Sequence, residues 1–254
     1  MLSPILQMAS DVSGTSLIPF PVQAIDRRHS CPGIGTLSPF GKHHFESTVI
    51  LKAKSRSFPD EELQYWDWSL DWTDLTQSSI WDEDTGFGGD GIIGPGTDNS
   101  IALRPIWYNQ SYVPHCISRG FRNNQTVGHL RSADFSPEWM GRVKRSPTYV
   151  KFIRHVELHL HNTIHKSISG DFEVLTAPND PVFFLHHAQL DRLWWQWQQE
   201  HRAVRLHEYE GKHMVNSTAE DATLSGILPY GGFVDDIRVS QVMDTEGELL
   251  CYRY

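Results

Sequence analysis

Two amphipathic helical patterns in the second half of this 254-residue chain constrain the fold more than any other feature. In the first pattern, apolar residues recur every three or four positions, which places them on one helix face. These residues are Tyr149, Phe152, Ile153, Val156 and Leu160. The buried face of the second pattern consists of Leu190, Leu193, Trp194 and Trp197. A short loop rich in turn residues joins them, so residues 149–166 and 183–200 are predicted to pack antiparallel.

Histidines lie beside both apolar faces. Glu157, His161 and His165 follow one another at intervals of four, so they project from one stripe of the first helix. Two imidazoles at this spacing can bind one metal ion, and His187, near the start of the second helix, supplies a third ligand. Asp191 follows one turn later and can accept a hydrogen bond from an imidazole N–H. The pattern predicts a metal site between two helices, with copper, zinc, nickel and iron all open.

Two sequence motifs contain these residues. HNxxH at 161–165, followed by DPVFFLHHxxxDRxW at 180–194, resembles the copper-B half-site of tyrosinases and catechol oxidases, which are type-3 copper proteins. The resemblance covers roughly residues 65–254. It implies a mainly α fold, in which a helical bundle holds the metal site and irregular loops and a few short strands surround it.

The resemblance also assigns roles to individual residues. It implies one copper ion bound by His161, His165 and His187. His186 is the ambiguous neighbour, since the second histidine of the pair is the ligand in the family. Glu157 and Asn162 match positions that hold a water near the metal, and this water would take a phenolic proton by general base catalysis.

The second copper site of the family, copper A, has no recognisable counterpart in this sequence. Residues 65–68, YWDW, resemble a motif that follows copper A in tyrosinases. His43 and His44 lie near the corresponding distance upstream, but no arginine follows them directly and no glutamate stands two turns on. The residues therefore favour a copper-A half that is lost, or omitted from this sequence, over ligation by this pair. His155 and His159 are a rival pair at helical spacing, for which exposure to solvent is the simpler expectation.

Composition excludes several other classes of protein. Lys and Arg number 22 against 31 Asp and Glu, and the net charge of −9 disfavours binding to nucleic acid or to anionic membranes. No apolar run approaches the length of a membrane span. The first 20 residues lack the basic and apolar regions of a signal peptide, which favours an intracellular protein. Residues 1–62 are expected to form a loosely ordered arm, and residues 63–254 the copper-binding domain.

Three functions remain open at this point. The first is a tyrosinase-like copper oxidoreductase that uses O2 to convert a small phenolic substrate to an o-quinone, in pigment or secondary metabolism. The second is a mononuclear zinc or copper enzyme without redox chemistry, and the third is an inactive remnant of the fold. In the family, two coppers share one O2, so we expect weak catechol oxidation and no hydroxylation of monophenols. The oligomeric state is left open.

Overall fold

Helices dominate the part of the chain that can be described. The computed structural model describes residues 64–89, 119–123, 126–127, 133–173, 177, 180–211, 221–228, 235–247, 249–250 and 252–254. The helices are α1 (Pro137–Lys144), α2 (Tyr149–His155), α3 (Asn162–Ile168), α4 (Val182–Glu200) and α5 (Arg202–Arg205). A π-helical segment, Val156–His161, joins α2 to α3. The mainly α fold expected from the sequence is confirmed.

The remaining regular structure is short. Two antiparallel pairs of strands occur, β1 (Arg122–Asn123) with β2 (Thr126–Val127) and β3 (Ile227–Leu228) with β4 (Ile237–Arg238). Single 3-10 turns lie at Leu75–Gln77, Ser79–Trp81, Ala133–Phe135, Gly170–Glu173 and Val239–Gln241. Of the described helices, none combines the length and the apolar character needed to cross a membrane. Residues 1–62, including His43 and His44, lie outside the described part of the chain.

Side-chain caps determine where the helices begin. The Ser136 hydroxyl accepts a hydrogen bond from the Trp139 backbone N–H, and proline occupies the first position of α1. Both are preferred at a helix start, because the first N–H groups have no partner within the helix. The Thr148 side chain caps α2 in the same way, and an Asp180 carboxylate oxygen accepts from the Val182 N–H at the start of α4.

The two helical patterns pack antiparallel, as their short connection predicted. Near the start of the first pattern, Phe152 stacks on Trp197 of α4, with ring centroids 5.1 Å apart and planes at 21°. Near its end, His165 contacts Phe183, at the opposite end of α4. Early residues of one pattern therefore meet late residues of the other. All nine apolar residues assigned to the two faces are buried.

The first pattern is not one uninterrupted α-helix. Between α2 and α3 the Asn162 backbone N–H bonds to the Glu157 carbonyl, five residues earlier instead of four. This π-helical widening inserts one extra residue into the turn, and such segments are frequent at functional sites. Periodicity did not reveal it, because the apolar residues Val156 and Leu160 keep a spacing that also suits an α-helix.

A buried ion pair connects distant segments at the start of α4. The Arg119 guanidinium, 1% exposed, makes two parallel bonds to the Asp180 carboxylate at 2.7 and 2.9 Å. Its third nitrogen donates to the carbonyl oxygens of Phe87, Gly88 and Gly89. Gly88 has φ of 73°, a conformation that glycine adopts without steric cost. Arg119 thus connects the loop at residues 87–89 to Asp180, the residue that caps α4.

Removing this guanidinium tests its structural weight. We expect Arg119→Met to lower the free energy of unfolding by about 3–5 kcal/mol, because the Asp180 charge would stay buried without its partner. Urea unfolding followed by tryptophan fluorescence measures the change. The matched control is Arg142→Met, which breaks an exposed pair with Glu138 and should cost about 0.2–1 kcal/mol. Equal losses in the two variants would contradict the assignment.

Candidate metal centre

Three histidines from both sides of the helix pair meet at one point. One ligand nitrogen each from His161, His165 and His187 lie within 4.8 Å of one another. The Nε2 atoms of His161 and His187 are 3.2 Å apart. Two nitrogens bound tetrahedrally to one ion at about 2.0–2.1 Å are roughly 3.3 Å apart. The separation therefore suits two ligands of a single ion.

Backbone carbonyls orient two of the three rings. The Nδ1 atom of His165 lies 2.5 Å from the Phe172 carbonyl oxygen, and that of His187 lies 2.8 Å from the Phe183 carbonyl oxygen. A carbonyl only accepts, so each Nδ1 carries the proton and each Nε2 keeps its lone pair. Within the described residues, the buried Nε2 of His165 has no hydrogen-bond partner. An orphaned lone pair directed at two other imidazoles fits a metal ligand.

The surroundings of His165 keep that ring neutral. Burial, reinforced by the nearby His161, lowers the pKa of His165 to about 4. Neutral imidazole is the form that binds a metal ion. Burial raises the pKa of the Glu157 carboxyl, but His161 and His165 together lower it more, so the net shift is downward. The centre therefore places one carboxylate beside the three imidazoles.

Asp191 does not take the position that the sequence predicted for it. The Nδ1 proton of His187 goes to the Phe183 carbonyl, one helical turn earlier. Asp191 Oδ2 instead accepts from the hydroxyls of Tyr252 and Tyr254, at 2.7 and 2.9 Å. Burial and the Asp191 charge raise the pKa of both tyrosines well above the ordinary value, so both stay protonated donors. Sequence spacing could not reveal the carbonyl, because every residue of a helix has one.

The adjacent His186 carries its proton and its lone pair on the opposite nitrogens from those of His165 and His187. It is fully buried, and the Trp68 indole N–H donates to its Nδ1 at 3.2 Å. Burial lowers its pKa well below the ordinary value, so the ring is neutral. An indole N–H can only donate, so the proton of His186 sits on Nε2, which then has no lone pair for a metal. His186 also lies outside the group of ligand atoms that meet within 4.8 Å.

Glu157 and Asn162 both lie beside His161. A Glu157 carboxylate oxygen is 3.3 Å from Nδ1 of His161. The Asn162 side-chain amide donates to the Glu157 backbone carbonyl at 2.8 Å. Their shared role in holding a water stays a prediction.

The rival pair His155 and His159 packs elsewhere. Both rings contact Trp139, with centroids 5.5 and 5.0 Å away, and Nδ1 of His155 is hydrogen-bonded to the Ser146 hydroxyl at 3.1 Å. Both side chains are half-buried, where the sequence suggested exposure. Positions two apart lie on nearly opposite sides of a helix, so His159 faces away from His161.

Three imidazoles that converge between two antiparallel helices form a candidate metal site within a helical bundle. The sequence matches the common central domain of tyrosinase over residues 43–200, more than half of the chain. The chain belongs to the tyrosinase family, which implies copper binding. The match begins at His43, within the segment expected to form an N-terminal arm.

Individual relatives agree with this membership. The chain is 56% identical over 207 residues to the tyrosinase-like protein phomQ2 of Diaporthe leptostromiformis, covering 76% of this chain and 52% of the relative. It is 52% identical over 203 residues to tyrosinase ustQ of Aspergillus flavus, covering 76% and 56%. The chain thus spans little more than half the length of these relatives. A solved polyphenol oxidase from Thermothelomyces thermophila shares the fold, with a TM-score of 0.55 at 19% identity over 83% of this chain and 71% of that one.

The contrast between the adjacent histidines can be measured with matched substitutions. We expect His187→Gln to lose copper retention at this centre, because it removes an Nε2 lone pair. His186→Gln should keep it, because a glutamine oxygen can still accept from Trp68. Copper per chain after loading and dialysis is the measurement. Loss of copper from His186→Gln alone would contradict the tautomer assignment.

Proposed function

We propose that the chain is a copper-binding oxidoreductase that converts small phenolic substrates, catechols above all, to o-quinones with O2. The observation that carries the proposal is the convergence of His161, His165 and His187, with the lone pair of His165 unsatisfied at the centre. Three neutral imidazoles are a ligand set that serves both Cu(I) and Cu(II). Membership of the tyrosinase family supports copper over other metals.

The side chains around the triad would shape the chemistry. When bound, copper supplies one-electron redox chemistry and a place for O2. Phe183 packs on His187 with ring centroids 4.0 Å apart, and Phe172 packs on His165 at 4.8 Å, so apolar rings exclude water from the ligands. On the open side, Glu157 and Asn162 would hold the water that accepts the phenolic proton. The exposed Lys166, next to His165, is available to contact the substrate.

The number of copper ions determines how far the activity extends. The described residues contain one histidine triad, and the family's chemistry uses two coppers. His43 and His44 remain the candidates upstream of Tyr65. We therefore propose weak catechol oxidation and no hydroxylation of monophenols by this chain. A role in pigment or secondary metabolism belongs to the same proposal.

A second candidate is a mononuclear zinc or copper enzyme without redox function. The observation that favours it is the Glu157 carboxylate beside a three-histidine centre. Three protein ligands, an open fourth position and a nearby carboxylate also form a catalytic zinc site, in which the metal lowers the pKa of a bound water.

Metal content and quinone formation together separate the candidates. We expect the purified chain to bind one copper per chain and, with added copper, to form o-quinone slowly from a catechol. Elemental analysis and the quinone absorbance are the measurements, with His165→Ala as the inactive control. One zinc per chain without oxidation would favour the second candidate. Two coppers with rapid turnover would show that further ligands complete a second site.

Copper should also stabilise the folded chain through the triad. A ligand that binds only the native state adds about 2.7 kcal/mol at a hundredfold excess over its Kd. We expect copper to raise the unfolding midpoint of the wild type and to leave that of His165→Ala unchanged. Thermal unfolding with and without a chelator measures the difference. An equal rise in both proteins would place the bound copper elsewhere.

A further inference from the structure

The three ligand histidines differ in what their Nδ1 atoms face. His165 and His187 each bond to a backbone carbonyl, whereas Nδ1 of His161 is buried and makes no aligned hydrogen bond among the described residues. The group that stands 3.3 Å from it is the carboxylate of Glu157. We propose that Glu157 is the positioning residue of His161: it holds the proton on Nδ1, so that the Nε2 lone pair points at the metal. The proposal rests on the metal centre proposed above and deepens it.

The π-helical segment places Glu157 for this role. The Glu157 carbonyl accepts two hydrogen bonds from Asn162, one from the backbone N–H and one from the side-chain amide. Both bonds fix the backbone of Glu157. Glu157 and His161 then lie at the two ends of the widened turn, with both side chains half-buried. The 3.3 Å between the Glu157 carboxylate and His161 Nδ1 is just beyond the usual length of an N–H···O bond.

The chemistry of the pair suits a metal ligand. A carboxylate that accepts from the far N–H of an imidazole fixes the tautomer, orients the ring and makes the ligand nitrogen more basic. The sequence assigned this task to Asp191, whose Oδ2 accepts from two tyrosines. Glu157 is a carboxylate that the structure places beside a ligand ring, so one of its oxygens would act on the ligand while the other remains for the water proposed above.

The metal-free protein provides the first test. Nitrogen-15 NMR of the imidazole rings shows which nitrogen of His161 carries the proton. In the wild type we expect Nδ1 to carry a proton, against the competing acceptor that the His187 lone pair offers 3.2 Å from His161 Nε2. Glu157→Leu removes the acceptor and should move it to Nε2 or divide it between the two nitrogens. Glu157→Gln keeps an acceptor oxygen and should retain the Nδ1 proton. If Glu157→Leu fails to fold, Glu157→Ala makes the same test.

Metal affinity provides the second readout. Titration with Cu²⁺ should show binding weakened by roughly 10–100-fold in Glu157→Leu, the usual cost of losing such a partner, and by less in Glu157→Gln. The matched control is Glu138→Gln, which removes a carboxylate from an exposed pair at the same four-residue spacing. It should leave both the His161 spectrum and the affinity unchanged.

The two readouts separate this inference from the proposed function. An unchanged His161 tautomer in Glu157→Leu overturns the inference, whatever the affinity. A changed tautomer in a chain that binds no copper supports the positioning role of Glu157 and rejects the copper oxidoreductase. A changed tautomer together with weakened Cu²⁺ binding supports both.

Discussion

The metal centre depends on the antiparallel packing of α4 against the segment formed by α2, the π-helical turn and α3. Trp197 secures one end of this packing: it stacks on Phe152, and its indole N–H donates to the Ser146 carbonyl at 2.7 Å. The Arg205 guanidinium lies over the same ring at 4.3 Å. Burial of the large Trp197 ring stabilises the packing between the two helical segments. His187 lies on the same helix, about ten residues before Trp197. The alignment of α4 therefore also brings His187 to His161.

Residues far away in the sequence contact α4 at its start and along its second half. Asp180 is paired with Arg119, and Arg192 is paired with Asp67 at 2.9 Å while lying over the Tyr65 ring at 4.3 Å. Asp191 accepts hydrogen bonds from the tyrosines at the end of the chain. These contacts prevent α4 from rotating or sliding along its axis.

The polarity of hydrogen bonds selects the ligands within a crowded group of imidazoles. The rings of His161, His165, His186 and His187 all lie within 6 Å of one another by centroid. Acceptors facing Nδ1 leave the Nε2 lone pairs of His165 and His187 for a metal, whereas the donor Trp68 places a proton on Nε2 of His186. One proton position thus separates a ligand from its neighbour. In the role proposed above, the Glu157 carboxylate would be the acceptor that faces Nδ1 of His161.

The sequence by itself determined the two helical patterns, their buried faces and the candidate triad of histidines, because helical periodicity and the four-residue spacing of His161 and His165 are local properties. Only the tertiary structure decided which groups face each imidazole. Trp68 is 118 residues from His186, and the tyrosines that occupy Asp191 are more than 60 residues from it. Such contacts depend on how elements pack, which no local spacing records.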